Sequence, residues 1–92
     1  MDLKSKPELY FDKTCAACPE QYTVYDKYEN IVGYVRLRYG ILICEYPDVG
    51  GEEIYSAIIG DEWTGEFESN EQREYHLTII ADKIMKRINK TR

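Results

Sequence analysis

The feature that most constrains this fold is an apolar stripe near the C-terminal end of the sequence. Apolar residues recur at steps of three and four along residues 69–90, which places them on one side of a helix. The members of the stripe are Leu77, Ile80, Ala81, Ile84 and Ile88. Ser69 and Gln72 have the capping-box spacing, so the helix is predicted to begin near Ser69. One apolar stripe needs one apolar surface to cover, and a β-sheet face is the large candidate.

The stripe also predicts which side chains of the helix meet solvent. Its larger members, Leu77, Ile80, Ile84 and Ile88, are expected to be buried against the sheet. The basic residues between them are expected to remain in water. These are Lys83, Lys86, Arg87 and Lys90.

The residues before this helix predict the sheet. From residue 21 onward, short runs rich in β-branched and aromatic residues are separated by turn residues. They indicate four strands, at 22–28, 31–38, 41–46 and 53–59. Tyr39 and Gly40 form a two-residue hairpin loop in this interpretation, with Gly40 supplying a positive φ. The resulting register gives one apolar face, which comprises Val35, Leu37, Leu42, Cys44 and Tyr46. A longer, bulged loop would turn one of the two strands over, because side chains alternate with a period of two.

The expected fold class is therefore α+β, in a single domain over residues 1–92. A four-stranded antiparallel β-meander at 21–59 is followed by one C-terminal α-helix at 69–90, packed across one face (ββββα). Residues 1–20 contain Pro7 and Pro19 and show no clear period, so they are predicted to form an irregular N-terminal arm. A chain of 92 residues can bury one modest core.

No apolar run approaches the ~20 residues that a membrane span needs. The first residues are charged and lack the apolar region of a signal peptide. The sequence therefore predicts a cytoplasmic protein without membrane contact.

Charge is unevenly distributed along the chain. Residues 45–74 carry ten acidic residues against Arg73 alone, a net charge of −9, whereas residues 75–92 carry +4. Over residues 66–92 this gradient matches the helix dipole. The acids from Glu45 to Glu62 precede the helix and need another explanation. They would repel nucleic-acid phosphates and attract a basic partner surface, so no direct nucleic-acid binding is expected.

The short motif Cys15-Ala-Ala-Cys18 indicates a specific chemistry, that of paired thiols. Such a pair can hold half of a tetrahedral zinc site or cycle as a dithiol. A zinc site needs two further ligands, for which the chain offers Cys44 and His76. Two ordinary reduced thiols are the favoured interpretation, because a second close-spaced pair is missing. No cofactor is therefore predicted, and a small zinc-stabilised domain is the alternative.

An enzyme is not predicted. His76 is the single histidine, and no serine has the flanking glycines of a nucleophile elbow.

Nine tyrosines are the unusual feature of the composition. Seven lie on or beside the predicted strands, and alternation cannot bury them all. Exposed tyrosines are enriched at protein interfaces, although β-propensity alone accounts for them equally well.

The stretch CPEQYTVYDKYENIVGYVRLRYG at residues 18–40, followed by YPDVGGEEIYSA at 46–57, resembles small, mostly uncharacterised proteins encoded by phages and prophages of Gram-positive bacteria. The resemblance implies a regulator or inhibitor that acts by binding a host protein. It implies no catalytic residues.

The expected function is thus a non-enzymatic protein-binding module of a bacterial host cytoplasm that modulates or inhibits a host macromolecule, including counter-defence roles. A homodimeric structural protein that pairs with itself through its exposed sheet face or edge strand is a further alternative. The predicted contact surface combines the tyrosine-bearing sheet face with the acidic segment 45–68. Its residues are Tyr34, Arg36, Arg38, Glu52, Glu53, Tyr55, Asp61, Glu62 and Trp63.

Overall fold

The computed structural model describes residues 8–15 and 19–90, without the side chain of Cys15. One antiparallel sheet is followed by one helix, which confirms the α+β class and the C-terminal helix. The strands lie side by side in chain order. The elements are β1 (Leu9–Cys15), β2 (Glu20–Asp26), β3 (Ile31–Arg38), β4 (Ile41–Tyr46), β5 (Glu52–Ile58) and α1 (Asn70–Lys90).

The described residues form five strands, so the prediction of four is wrong. The additional strand is β1, which pairs with β2 and places Phe11 opposite Val24. The predicted irregular arm is therefore a strand over Leu9–Cys15, while residues 1–7 and 16–18 of that arm lie outside the described residues. The two-residue alternation of a strand is not visible in the sequence of β1, because Leu9, Tyr10 and Phe11 are all apolar. Leu9 is buried and Tyr10 is exposed, which is the alternation of an edge strand.

The β3–β4 hairpin has the predicted register. Arg38 lies opposite Ile41, and Val35 lies opposite Cys44. Tyr39 and Gly40 are the two loop residues, with φ values of 56° and 74°. Positive φ at both positions is the type I′ geometry, whose twist matches that of the flanking strands. The two-residue loop therefore sets which side chains face α1.

Helix α1 covers one face of the sheet, here called the covered face, whose fully buried members are Val24, Val35, Leu37, Leu42 and Cys44. Ile80 and Ile84 are completely buried, whereas Leu77 and Ile88 are partly buried beside the core. A Cβ atom at Gly33 would lie 2.7 Å from Ile84 Cδ1, so the glycine allows the helix to approach β3 closely.

The N-terminal end of α1 is capped as the sequence predicts. Gln72 N–H donates to Ser69 Oγ at 3.0 Å, and the Gln72 side-chain oxygen accepts from Glu68 N–H at 2.8 Å. The second bond reaches one residue further back than in the usual capping box.

The basic side of α1 agrees with the prediction except at one position. Lys83, Lys86 and Lys90 are exposed. Arg87 is partly buried, since its Nη2 lies 2.7 Å from Glu52 Oε1 and its guanidinium lies 5.1 Å from the centre of the Tyr46 ring. The expectation that Arg87 stays in water is therefore wrong, because β5 brings a carboxylate and β4 an aromatic ring to this helix turn.

The opposite side of the sheet, here called the open face, carries no helix among the described residues. Gln21, Arg36, Ile43 and Ser56 form one cross-strand row on it. Ile43 is nevertheless buried.

Candidate functional site

At one end of the sheet, the β3–β4 turn meets the loop between β5 and α1. We call this region the turn–loop surface; it comprises the turn residues Tyr39 and Gly40 and the loop residues 59–69. Gly40 N–H donates to the Thr64 carbonyl at 2.7 Å, and Ile59 N–H donates to the Gly40 carbonyl at 2.8 Å. Glu20 N–H donates to the Gly65 carbonyl at 2.8 Å. The loop is thus fixed by backbone hydrogen bonds to the hairpin turn and to β2.

The loop also holds its own shape. Asp61 Oδ1 accepts from Trp63 N–H at 2.9 Å, and the Asp61 carbonyl accepts from Thr64 N–H at 3.0 Å. In return, Thr64 Oγ1 accepts from Asp61 N–H at 3.0 Å and donates to Asp61 Oδ1 at 3.2 Å. Asp and Thr favour such side-chain-to-backbone turns. The sequence DEWT therefore fixes the backbone that carries Trp63.

Two large aromatic side chains are left in solvent on this fixed backbone. Trp63 is 84% exposed and Tyr39 is 69% exposed. Both side chains line an open surface groove of about 480 Å³. The residues that line it are Pro19, Arg38, Tyr39, Glu62, Trp63, Thr64 and Gly65. Two exposed aromatic side chains that line one groove differ from singly scattered surface residues and mark a candidate contact site.

Behind the loop, a buried carboxylate joins β2 to the start of α1. Glu20 is 2% exposed and accepts from Tyr22 Oη at 2.5 Å, from Phe67 N–H at 3.1 Å and from Arg73 Nε at 2.6 Å. Arg73 also donates to Asn70 Oδ1. The network holds Phe67 and the first turns of α1 against the sheet. It therefore fixes the C-terminal end of the loop that carries Trp63.

Burial alone would raise the pKa of Glu20. The hydrogen bonds from Arg73, Tyr22 and Phe67 N–H, together with the positive charge of Arg73, outweigh it and lower that pKa. The pKa of Tyr22 is raised by burial and by the adjacent carboxylate. The carboxylate therefore stays ionised and the phenol stays protonated, as hydrogen-bond acceptor and donor.

The predicted contact residues separate into three places. Arg38, Asp61, Glu62 and Trp63 belong to or border the turn–loop surface. Tyr34 and Arg36 lie on the open face, where Tyr34 Oη donates to Gln21 Oε1 at 3.0 Å. Arg36 Nε is buried and has no hydrogen-bond partner among the described residues. Glu52, Glu53 and Tyr55 lie on β5.

Tyr55 faces α1 rather than the open face, so it does not share a surface with Tyr34. It lies opposite Cys44, and its hydroxyl is 2.9 Å from His76 Nδ1. His76 stacks on Phe67 with ring centres 5.9 Å apart. Burial raises the pKa of Tyr55 and lowers that of His76. The pair is thus held neutral within an aromatic cluster at the edge of the covered face.

The two acids of β5 also separate from the turn–loop surface. Glu52 lies opposite Tyr46 and pairs with Arg87, and Glu53 lies opposite Glu45. Both positions are at the start of β5, which is the far end of the sheet from the loop. The described structure therefore does not combine the tyrosine-bearing face and the whole acidic segment into one surface.

The candidate metal ligands do not form a site within the described residues. Cys18 and the side chain of Cys15 lie outside them. Cys44 is fully buried in the core, and burial raises its pKa to about 12, away from the thiolate that binds metal. No group of three or more His, Cys, Asp or Glu side chains is arranged to hold a metal ion in this part of the chain.

Sequence reasoning missed Tyr39 and Pro19 as members of the groove. Tyr39 was identified as a turn residue, and its neighbour across the groove, Trp63, is 24 residues later in the sequence. The signals available in the sequence were a two-residue hairpin turn that contains a tyrosine and an isolated tryptophan between turn-forming residues.

No protein-family model, no curated protein and no solved structure matches this chain. Within the described ranges, α1 is not apolar enough to cross a membrane.

Proposed function

We propose that this chain is a non-enzymatic protein-binding module that attaches to a host protein through the turn–loop surface and modulates or inhibits it. The observation that carries the proposal is Trp63, which is 84% exposed on a loop fixed by backbone hydrogen bonds. Tryptophan and tyrosine dominate the energetics of protein interfaces. Because the backbone is already ordered, binding costs little conformational entropy there.

The resemblance of residues 18–57 to proteins of phages and prophages of Gram-positive bacteria supports a bacterial host protein as the partner and the bacterial cytoplasm as the location. The net charge of −5 supports a protein rather than a nucleic acid. A small acidic module of this kind would inhibit by occupying a surface that its target needs, which is a mode available to counter-defence proteins.

The proposal is tested by affinity capture from a lysate of a Gram-positive host with the wild-type chain and single variants. Trp63→Ala and Tyr39→Ala should each lose at least one host protein that the wild type retains, identified by mass spectrometry. Tyr28→Ala is the matched control, because Tyr28 is as exposed as Tyr39 but lies in the β2–β3 turn at the opposite end of the sheet.

The Tyr28 variant should retain the same proteins as the wild type. Undiminished retention by Trp63→Ala would remove the turn–loop surface as the binding site. Size-exclusion chromatography of each purified variant belongs to the same experiment, since a change in oligomeric state on losing Trp63 would assign the surface to a second copy of this chain instead.

A further inference from the structure

The charges around the groove differ between its two sides. On the loop side, the lining acid is Glu62, and loop residues 59–69 contain four acids and no base. On the hairpin side, the lining cation is Arg38, whose guanidinium lies 5.8 Å from the centre of the Tyr39 ring. Arg73, the nearest base along the chain, is held by the buried Glu20. The Trp63 side of the groove is therefore negative.

An aromatic face beside a carboxylate is a suitable site for an organic cation. A cation over an indole is attracted by the ring quadrupole, and tryptophan is the strongest of the aromatic side chains in this respect. Glu62 is the acid that lines the groove and is adjacent in sequence to Trp63. Asp61 uses Oδ1 to accept from Trp63 N–H and from Thr64 Oγ1 and is not among the residues that line the groove, so Glu62 is the lining carboxylate.

We propose that the groove binds an arginine side chain from an extended basic segment of the partner protein, with the guanidinium over the Trp63 indole and paired with the Glu62 carboxylate. Arginine suits this site better than lysine because its planar guanidinium stacks on an aromatic face and pairs with a carboxylate at the same time. The inference rests on the proposed function, since it names the chemistry of the partner's contact segment.

Trp63 is the single tryptophan of the chain, so its fluorescence reports directly on the groove. The probe is acetyl-tetra-arginine amide, titrated into the full-length chain at low salt. The matched probe is acetyl-tetra-citrulline amide, which has nearly the same size and hydrogen-bonding groups without the charge. Tetra-arginine should change the Trp63 emission saturably, whereas tetra-citrulline should not.

Two variants give opposite expected shifts. Glu62→Gln removes the carboxylate and should raise the dissociation constant for tetra-arginine about tenfold, which corresponds to the loss of one charged contact. Arg38→Gln removes the cation across the groove and should lower that constant. Both residues are at the surface, and unchanged thermal unfolding verifies that the fold persists.

The inference is overturned if tetra-arginine gives no saturable change, if tetra-citrulline or tetra-glutamate binds equally well, or if Glu62→Gln binds tetra-arginine like the wild type. These failures are distinguishable from failure of the proposed function. If tetra-arginine fails while a host protein is still captured in a Trp63-dependent manner, the binding module stands and its partner contacts Trp63 without an arginine. If Trp63→Ala still captures every host protein, the proposed function fails whatever the peptides do.

Discussion

The covered face of the sheet and the turn–loop surface use large apolar side chains in opposite ways. On the covered face, Ile80 and Ile84 are completely buried against strands whose inward side chains are also buried. On the turn–loop surface, Trp63 and Tyr39 remain in solvent although the backbone beneath them is fixed by hydrogen bonds. Burial stabilises the first region, whereas polar backbone contacts order the second.

The difference implies that folding and binding depend on separate residues. A substitution on the covered face removes apolar contacts and leaves a cavity, so it acts on the free energy of unfolding. A substitution of Trp63 removes a side chain that contacts mostly water, so it acts on binding with little effect on folding. Substitutions in the two regions should therefore differ in what they change, the free energy of unfolding in one and the binding of a partner in the other.

The covered face should be the most sensitive region to truncation. Ile80→Ala or Ile84→Ala should lower the free energy of unfolding by about 2–5 kcal/mol, because each isoleucine is fully buried. Urea denaturation followed by circular dichroism measures the change. Lys86→Ala on the same helix is the control and should change stability by less than about 0.5 kcal/mol, since Lys86 is exposed and its pair with Asp82 is a surface pair. Equal losses from the lysine and isoleucine variants would contradict the assignment of the covered face.

Substitution of Glu20 should cause the next largest loss of stability, because its hydrogen bonds join the sheet to the start of α1 and the loop before it. Glu20→Gln keeps the size of the side chain but removes the charge that Arg73, Tyr22 and Phe67 N–H share. We expect a loss of about 2–3 kcal/mol at neutral pH, as for a buried group that loses charged hydrogen bonds. Glu66→Gln, at an exposed position of the loop between β5 and α1, is the control and should have little effect.

The loss in Glu20→Gln should also depend on pH. The folded-state pKa of Glu20 is lowered, so its stabilisation is fully present above the ordinary glutamate pKa of about 4.3 and disappears as pH falls through the lower, folded-state value. The difference in stability between the wild type and Glu20→Gln should therefore shrink on acidification below that range. Parallel urea curves at neutral and acidic pH measure it, and a difference that stayed constant would show that Glu20 does not contribute through its charge.

Gly40→Ala should have the smallest effect on stability and a clear effect on the groove. Gly40 has a positive φ, and a Cβ atom there would lie 2.1 Å from the Asp61 carbonyl oxygen. The variant should lose about 1–2 kcal/mol from backbone strain and should displace the Trp63 loop from the hairpin turn. Gly50→Ala is the matched control, because Gly50 also has a positive φ but has nothing within 4 Å of the added atom.

Trp63 emission and near-ultraviolet circular dichroism distinguish the two glycine variants. Gly50→Ala should lose stability from backbone strain alone and should leave the Trp63 signal unchanged. If Gly40→Ala left the Trp63 signal unchanged as well, the hairpin turn would not be what positions the loop.

The sequence predicted the parts of the fold that local patterns encode. The stripe from Leu77 to Ile88 has the helical period, and the turn residues Tyr39 and Gly40 determine the β3–β4 register. Strand β1 was missed because its apolar residues are consecutive, so the alternation that identifies a half-buried strand is not visible. Arg87 was expected in solvent because the helical pattern does not indicate that β5 brings Glu52 to it.

The candidate site was less predictable than the fold, because it is built from contacts between distant residues. Trp63, Glu62 and Arg38 were identified one by one, but the hydrogen bond between Gly40 and Thr64 that brings them to one groove has no local signal. Tyr55 was grouped with Tyr34 because both are strand tyrosines. Their faces differ, since Tyr55 lies opposite Cys44 and Tyr34 lies opposite Glu45.

The Glu20 carboxylate has a consequence for the synthesis of the chain. Two of its partners, Phe67 and Arg73, are 47 and 53 residues further along. At the usual translation rate, Arg73 is added about 3–10 s after Glu20. Until then, enclosing the carboxylate would leave a charge without its cation in a poorly hydrated interior, which costs several kcal/mol. Closure of the covered face around an ionised Glu20 is therefore unfavourable until the helix that completes the molecule has begun.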